Sequence, residues 1–429
     1  MAWTSIPDVP DFWLRNATLA GGSRADILIR HGMIAAIAPA GTAPSGVDLH
    51  GGMALPCFAD VHTHLDKGHI WPRSPNPDGT FMGALAAVMG DREKSWSAED
   101  MEARFRFGLA CSYAHGTSAI RTHVDTYLPH AHGSWAVFSR LREEWAGRIA
   151  LEAVSICPID RFAGDEGAEI ADLVARHGGI LGFVTRFTGQ GEGAIPPGFQ
   201  DLLDHCFALA EARGLDLDLH VDESGETEAA TLPLIARTAL RRRFNGRIQV
   251  GHICSLSLQR DEVIAETIGL VRDAGISVVS LPMCNMYLQG RAPGRTPRWR
   301  GVTLLHELAA AGVAVSVASD NCRDPFYAFG DHDMLEVFRE AVRIAHLDHP
   351  VEPWVAAVSE TPARLMGREA VLREGAVADL VLLRARAWHE ALSRQQADRV
   401  VLRAGRAIDT TLPDYAALDP ILSPGLTNG

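Results

Sequence analysis

The 429 residues carry 53 acidic against 40 basic side chains, a formal net charge of −13, with 47% hydrophobic and 22% charged residues. This balance describes a globular chain with a large core, and it disfavours nucleic acid as a partner, because phosphate recognition needs a basic field. No apolar run reaches the about 18 residues of a membrane span, and Met1 to Trp13 lack a basic segment followed by an apolar stretch, so no membrane partner and a cytoplasmic location are expected.

In chain order, Asp11 to Leu19 and Asp26 to Ala38 read as strands without intervening helices. From residue 54 the rhythm changes. Short apolar runs centred near Ala59, Ile120, Glu152, Gly182, Leu217, Gln249, Val278 and Val315 alternate with amphipathic stretches. The latter include Ala98 to Ser112, Glu166 to His177, Asp201 to Arg213, Leu232 to Phe244, Leu258 to Asp273 and Leu304 to Ala311. Eight such alternations predict an α/β fold of the (β/α)8 TIM barrel type over residues 54–371. Ala378 to Leu383 and Arg399 to Ile408 again read as strands, so residues 1–53 and 372–429 are expected to form one small β-sandwich domain from both chain ends. Pro413 to Gly429 reads as a tail. The seven cysteines are odd in number and show no CxxC spacing, which fits reduced thiols buried as small apolar groups.

The polar residues that close these runs are the informative ones. His62 and His64 follow the first run, His123 the second, His220 the fifth, His252 the sixth and Asp320 the eighth. Alternation along a strand puts positions i and i+2 on one face, so His62 and His64 can address a common ion. In a barrel of this type the catalytic groups gather at the carboxyl ends of the strands. Each histidine taken singly has a plain alternative as a hydrogen-bonded core residue; it is their coincidence at strand ends that points to a metal. Three imidazoles and one carboxylate suit zinc, iron or manganese, with a position left for water. Glu223, three residues after His220, is placed for proton transfer, since a partly desolvated carboxyl group can both accept and deliver a proton near neutral pH.

The segments HTHLDKGH, RTHVD, HVDES, GHICS, NMYLQGR and SDNCRDPFYAFGDHDM, in this order and spacing, resemble bacterial cytosine deaminase and its close relatives in the amidohydrolase superfamily. The resemblance runs from about Leu55 through the barrel and includes the flanking EGAVADLVLL and GRAI segments. It implies that His62, His64, His220 and Asp320 bind one divalent metal, zinc or iron. His252 would orient the bound hydroxide and polarise the substrate, Glu223 would shuttle protons, and the loop with Gln289 would shape the substrate side. Some superfamily members bridge two metals with a lysine carbamate on strand 4. The only lysines here are Lys67 and Lys94, neither near Ile180 to Arg186, so a single metal is expected. Lys67 reads as structural or as a charge lining the mouth.

The implied reaction is hydrolytic deamination: metal-bound hydroxide attacks a ring carbon bearing an exocyclic amine, Asp320 acts as ligand and base, and ammonia leaves. No PCxxC is present, which excludes the unrelated zinc base deaminases. Two positions depart from the cytosine deaminase pattern. Ile159 stands where that family has a glutamine, and Asn321 where it has a second aspartate, so cytosine itself is disfavoured. A cytosine or isocytosine derivative, a pterin or an aminotriazine is the expected small-molecule substrate. Candidate readers of its edge are Arg186, Arg161, Arg121 and Arg323, and candidate stacking partners are Phe81, Trp71, Phe326 and Tyr327. A homo-oligomer is expected. The competing readings are hydrolysis of an N-alkylamine from an s-triazine and a non-catalytic barrel module; the latter predicts lost ligands, whereas every ligand position is filled.

Overall fold

A computed structural model describes residues 4–191 and 193–422. The first three residues and the last seven of the expected tail lie outside the described range. The strands in chain order are β1 (Asp11–Thr18), β2 (Arg24–Arg30), β3 (Met33–Pro39), β4 (Val47–Asp48), β5 (Met53–Pro56), β6 (Phe58–Thr63), β7 (Thr117–Asp125), β8 (Ala150–Ile156), β9 (Leu217–Val221), β10 (Ile248–His252), β11 (Ser277–Ser280), β12 (Val315–Val317), β13 (Leu380–Leu383), β14 (Val400–Arg403) and β15 (Arg406–Ala407).

Both chain ends build a single eight-stranded sheet, ordered β15-β14-β13-β5-β1-β2-β3 with β4 beside β1. Two expected runs break within it. Asp26 to Ala38 is a hairpin that reverses at His31 and Gly32, both at positive φ, and Arg399 to Ile408 reverses at Ala404 and Gly405 in the same way. Tight reversals of this kind need left-handed backbone, which glycine supplies without steric cost. Backbone bonds from Ile34 to Ala376 and from Ala378 to Gly32 turn the β3 edge back toward the segment before β13. The sheet thus curls around its own core of Phe12, Leu14, Ile27, Leu380 and Leu382. The expected boundary between residues 53 and 54 falls inside β5, which pairs with β13 through Pro56.

The run Leu380-Val381-Leu382-Leu383 is buried throughout, and its alternate residues enter different cores. Leu380 and Leu382 face the end-sheet core, while Val381 and Leu383 join the core around Phe58 and Phe338. Period-two alternation makes one strand the seam between two hydrophobic layers.

The middle of the chain is α/β. Parallel sheets β6-β7-β8 and β9-β10-β11-β12 are buried on both faces, as near-continuous apolar runs require. Seven of the eight expected runs are strands. The fourth, around Gly182, instead makes isolated parallel bridges, Val154 to Ile180 and Pro158 to Val184 on one side, Leu181 to Leu217 and Val184 to His220 on the other. The reason is local. Ser155 Oγ accepts from the Gly182 amide and donates to its carbonyl, both at 2.9 Å, so a side chain takes ladder bonds that a neighbouring strand would otherwise fill. The approach is also too close for any other residue, since a Cβ on Gly182 would sit 2.4 Å from Asp218 O and from Val154 Cγ1. A further bridge, Thr63 to Asp320, links the end of β6 to the residue region after β12.

The helices Ala98–Ala114, Gly164–Arg176, Phe199–Arg213, Leu232–Arg242 and Leu305–Ala310 follow the expected stretches. The one expected from Leu258 begins at Asp261, after a 3-10 turn over Cys254–Leu258. All seven cysteines are free and buried, and among the described residues no helix is long and apolar enough to cross a membrane.

Candidate metal centre and active-site cavity

Main-chain bonds bring the first and last parallel strands into one site. The Asp320 amide donates to His62 O at 2.9 Å, and the Asp320 carbonyl accepts from Thr63 Oγ1 at 2.9 Å and from the His64 amide at 3.3 Å. Asp320 sits at φ 62°, a conformation aspartate tolerates better than most residues, and its carboxylate meets both imidazoles. Its Oδ1 is 3.6 Å from His62 Nε2 and 3.2 Å from His64 Nε2, and His220 Nε2 lies 3.4 Å from His64 Nε2.

His62, His64, His123 and His220 each place a ring nitrogen within 4.8 Å of those of the other three, and His62, His252 and Asp320 form an overlapping group. All are buried. Burial, reinforced by the neighbouring imidazoles and, for His62, His64 and His123, by Lys67, holds the four clustered histidines well below the ordinary histidine range, so they present lone pairs rather than charges. Burial likewise raises the Asp320 carboxyl to about 7. Both ring nitrogens of His62 and His123, Nδ1 of His64 and His220, Nε2 of His252 and both carboxylate oxygens of Asp320 have no hydrogen-bond partner among the described residues. Buried polar atoms are ordinarily satisfied, so so dense a group of orphans needs an explanation. Neutral imidazoles with one carboxylate are the donor set of a divalent transition metal, and a cation there would pair the carboxylate and engage the bare nitrogens. The residues fit such an ion.

Glu223 lies beside this cluster. Its Oε1 is 3.2 Å from His252 Nδ1 and accepts from Asn285 Nδ2 at 3.1 Å, while the same Nδ2 lies 2.9 Å from His252 Nδ1. One amide thus spans an acid and an imidazole. Its donation to Nδ1 leaves the His252 proton on Nε2, the nitrogen that has no protein partner. Burial lowers the His252 pKa to about 3, so the ring stays neutral. The preceding residue anchors the turn: Asp222, at φ 50°, accepts from Thr231 N, Thr231 Oγ1 and Leu232 N.

A cleft enclosing roughly 550 Å³ of empty space, its open mouth included, reaches His64, His220, Glu223, His252 and Asp320. Of the expected substrate-side residues, Phe81, Arg186, Asn321 and Phe326 line it. The two phenyl rings meet edge to face at 5.4 Å, and the Arg186 guanidinium lies 5.7 Å from the Phe81 ring.

The structure places the other expected residues away from the lining of this cleft. Ile159 packs in the main hydrophobic core with Phe162, because the 3-10 turn that begins at Ile159 takes it there; Cys157 takes the cavity wall instead. Gln289 does not line the cleft either: its Nε2 donates to Glu223 O at 3.1 Å and holds the main chain of the acid. Arg121 pairs with Glu152 and Asp218, Arg161 with Glu166, and Arg323 lies over the Tyr415 ring at 4.1 Å, so none of the three faces the cavity. Trp71 and Tyr327 are also outside its lining.

Lys67 is not at the mouth but buried in the cavity wall, 2.9 Å from Asp125 Oδ1, while Arg92 NH1 lies 2.8 Å from Asp125 Oδ2 and its guanidinium stacks 4.0 Å over Tyr127. Sequence reasoning missed this Lys67-Asp125-Arg92 wall, although Lys67 and Asp125 lie inside two of the motifs. It also missed Asn285, since an amide in a short apolar helix carries no periodic signal.

The Amidohydrolase family model matches residues 183–409. The chain is 52% identical over 440 aligned residues to a pterin deaminase of Rhizobium rhizogenes (strain K84), spanning 98% of this chain and 99% of that protein. It is 24% identical to an N-isopropylammelide isopropyl amidohydrolase of Pseudomonas sp. (strain ADP), over 86% of this chain and 89% of that protein. Among solved structures, a 5-methylcytosine deaminase from Klebsiella pneumoniae liganded with 5-fluorocytosine shares the fold, with a TM-score of 0.79 at 23% identity over 94% of this chain and 98% of that one.

Proposed function

The chain belongs to the amidohydrolase family, in the cytosine deaminase-like branch of its superfamily, and from that premise we propose that it is a metal-dependent hydrolytic deaminase of an aminated nitrogen heterocycle, a pterin in particular. The observation that carries this reading is the buried cluster of unpartnered imidazoles and carboxylate opening onto an aromatic cleft beside Glu223. Near half-and-half identity to a pterin deaminase along the whole chain supports the substrate class. In this reading the two parallel sheets and the bridges at Ile180, Leu181, Val184 and Thr63 form one closed (β/α)8 barrel, with the curled end sheet as a separate small sandwich domain. Buried, reduced cysteines fit a cytoplasmic enzyme.

His62, His64, His220 and Asp320 would hold a single zinc or iron ion, with His123 as a further imidazole against His62 at a ring separation of 3.9 Å. When bound, the metal supplies Lewis acidity and lowers the pKa of water. The chain's own groups do the rest. Asp320, whose carboxylate faces the same space as the imidazoles, takes a proton from the attacking water. The neutral His252 offers its Nε2 proton to the oxygen on which charge develops. Glu223, protonated at the start, gives its proton to the ring nitrogen, takes up the hydroxyl proton of the tetrahedral carbon and passes it to the exocyclic amine, and the proton held by Asp320 then returns Glu223 to its starting form. A carbon–oxygen bond forms, the carbon–nitrogen bond breaks, and the products are ammonia and the oxo heterocycle. Phe81 and Phe326 would cover the flat rings, and Arg186 or the Lys67-Asp125-Arg92 wall would meet the polar edge.

The test is product analysis. Metal-reconstituted protein is incubated with pterin, isocytosine, cytosine, an aminotriazine and N-isopropylammelide, and ammonia and isopropylamine are measured. Ammonia from pterin is expected; isopropylamine in its place would assign the chain to dealkylation, and neither amine would overturn the reading.

A further inference from the structure

A second group of metal-binding side chains is buried outside the cleft. His69, just beyond β6, meets Cys322 and His332 from the loop after β12, and a donor atom of each lies within 4.8 Å of the other two. All three are at most 3% exposed, and none lines the substrate cavity.

His69 Nε2 and His332 Nε2 are 3.2 Å apart. Two nitrogens on one tetrahedral zinc, each about 2.0–2.1 Å from it, are separated by about 3.3 Å. Space beside this pair is kept by a glycine within a helix: a Cβ on Gly108 would lie 3.0 Å from His332 Nε2 and 2.7 Å from Leu65 Cδ2. Both histidines adopt positive φ, 66° and 55°, and the Nδ1 atoms of both lack a hydrogen-bond partner among the described residues.

Burial sets the charge states of all three side chains. Burial, with His332, Arg323 and Arg104 adding to it, holds His69 neutral, and burial holds His332 neutral with a pKa of about 4. Burial, with Asp331, Cys111 and Asp324 adding to it, holds the Cys322 thiol well above the ordinary thiol range, so a metal entering the site would displace its proton. The ring of Phe107 meets His69 at 4.8 Å and stacks on Tyr415 at 5.5 Å, so the segment Tyr415–Leu418 covers this corner.

We propose that His69, Cys322 and His332 form a second, structural metal site that takes zinc through one thiolate and two neutral imidazoles. Its role is mechanical. The His69 amide already donates to Cys322 O at 3.0 Å, and a metal there would tie the segment carrying His62 and His64 to the loop carrying Asp320.

Protein stripped with a chelator and titrated with Co2+ tests this. The expected result is two equivalents per chain and a near-ultraviolet thiolate-to-cobalt absorption. That absorption and one equivalent disappear in Cys322→Ser and in His332→Gln, but persist in Cys284→Ser, which alters the cysteine grouped with Glu223 and Asp320. Loss of one equivalent with the absorption lost in Cys322→Ser supports the site even if the first cluster binds nothing, so the two readings fail separately. Absence of the thiolate absorption from the wild-type protein overturns the proposal, as does its loss in Cys284→Ser but not in Cys322→Ser.

Discussion

His62 and Asp320 are joined through the main chain at 2.9 Å from Asp320 N to His62 O, and across the site His62 Nε2 lies 3.6 Å from Asp320 Oδ1 without a hydrogen bond between them. The strand pairing that sets the backbone therefore also sets the separation of these two proposed ligands, and a rigid element holds such a separation better than a loop.

The acid and the ligand should separate experimentally. Glu223→Gln is expected to lower deaminase turnover by about 10²–10⁴-fold while metal content stays at the wild-type level. Asp320→Asn should lose metal and activity together. Ammonia release and metal analysis on the same preparations check both; turnover retained in Glu223→Gln would remove Glu223 from the proton path.

Asn285→Ala removes the amide that bridges His252 Nδ1 and Glu223 Oε1. Losing such buried bonds costs about 1–3 kcal/mol, so kcat should fall about ten- to a hundredfold. KM should change little, because the amide acts on the catalytic pair and is absent from the cavity lining. Steady-state kinetics reads the split, and a change confined to KM would contradict it.

Asp125 holds Lys67 and Arg92 together in the cavity wall, with all three side chains at most 12% exposed. Asp125→Ala leaves two buried cations without their anion, a change that typically costs about 3–5 kcal/mol. Urea unfolding should show the midpoint falling accordingly. The double variant Asp125→Ala with Lys67→Met should recover part of the loss, and no recovery would argue against charge as the cause.

Asp333 begins the helix Met334–Ala345, accepting from Leu335 N at 3.0 Å, and is paired with Arg399 at 2.6 Å. Burial by itself would raise its pKa, but the Arg399 charge, His115, and the bonds from Arg399 and the Leu335 amide hold it well below the usual carboxylate range. A carboxylate depressed in the folded state contributes stability that is fully present above its unfolded value of about 4 and is lost as pH falls from there through the folded value. Arg399→Met should therefore flatten the loss of stability between about pH 5 and pH 2, measured by urea midpoints across that window.

The HxH pair, the spacing from His220 to Glu223 and the alternation of apolar runs with amphipathic stretches are one-dimensional signals. Strand period and strand-end position were enough to bring His62, His64, His220, His252 and Asp320 to one place, and the parallel strands followed from the same apolar runs. The direction in which a residue beyond a strand end points is not such a signal. Ile159 and Cys157 are two residues apart and both are tied to Val184 through the main chain, but the 3-10 turn that begins at Ile159 takes the isoleucine into the core and leaves the cysteine at the wall. Arginines at strand ends look alike in sequence; Arg121 is claimed by Asp218 and Glu152, Arg161 by Glu166, and Arg186 is left for the cavity because no carboxylate lies within ion-pair reach of it among the described residues. The fourth run shows the same division. Its composition marked it as a strand, but Ser155 and the contact at Gly182 reduced it to bridges. Period and composition report which residues are buried and at which end of an element they lie, whereas the partner a polar side chain finds across the fold depends on packing between segments far apart in the chain.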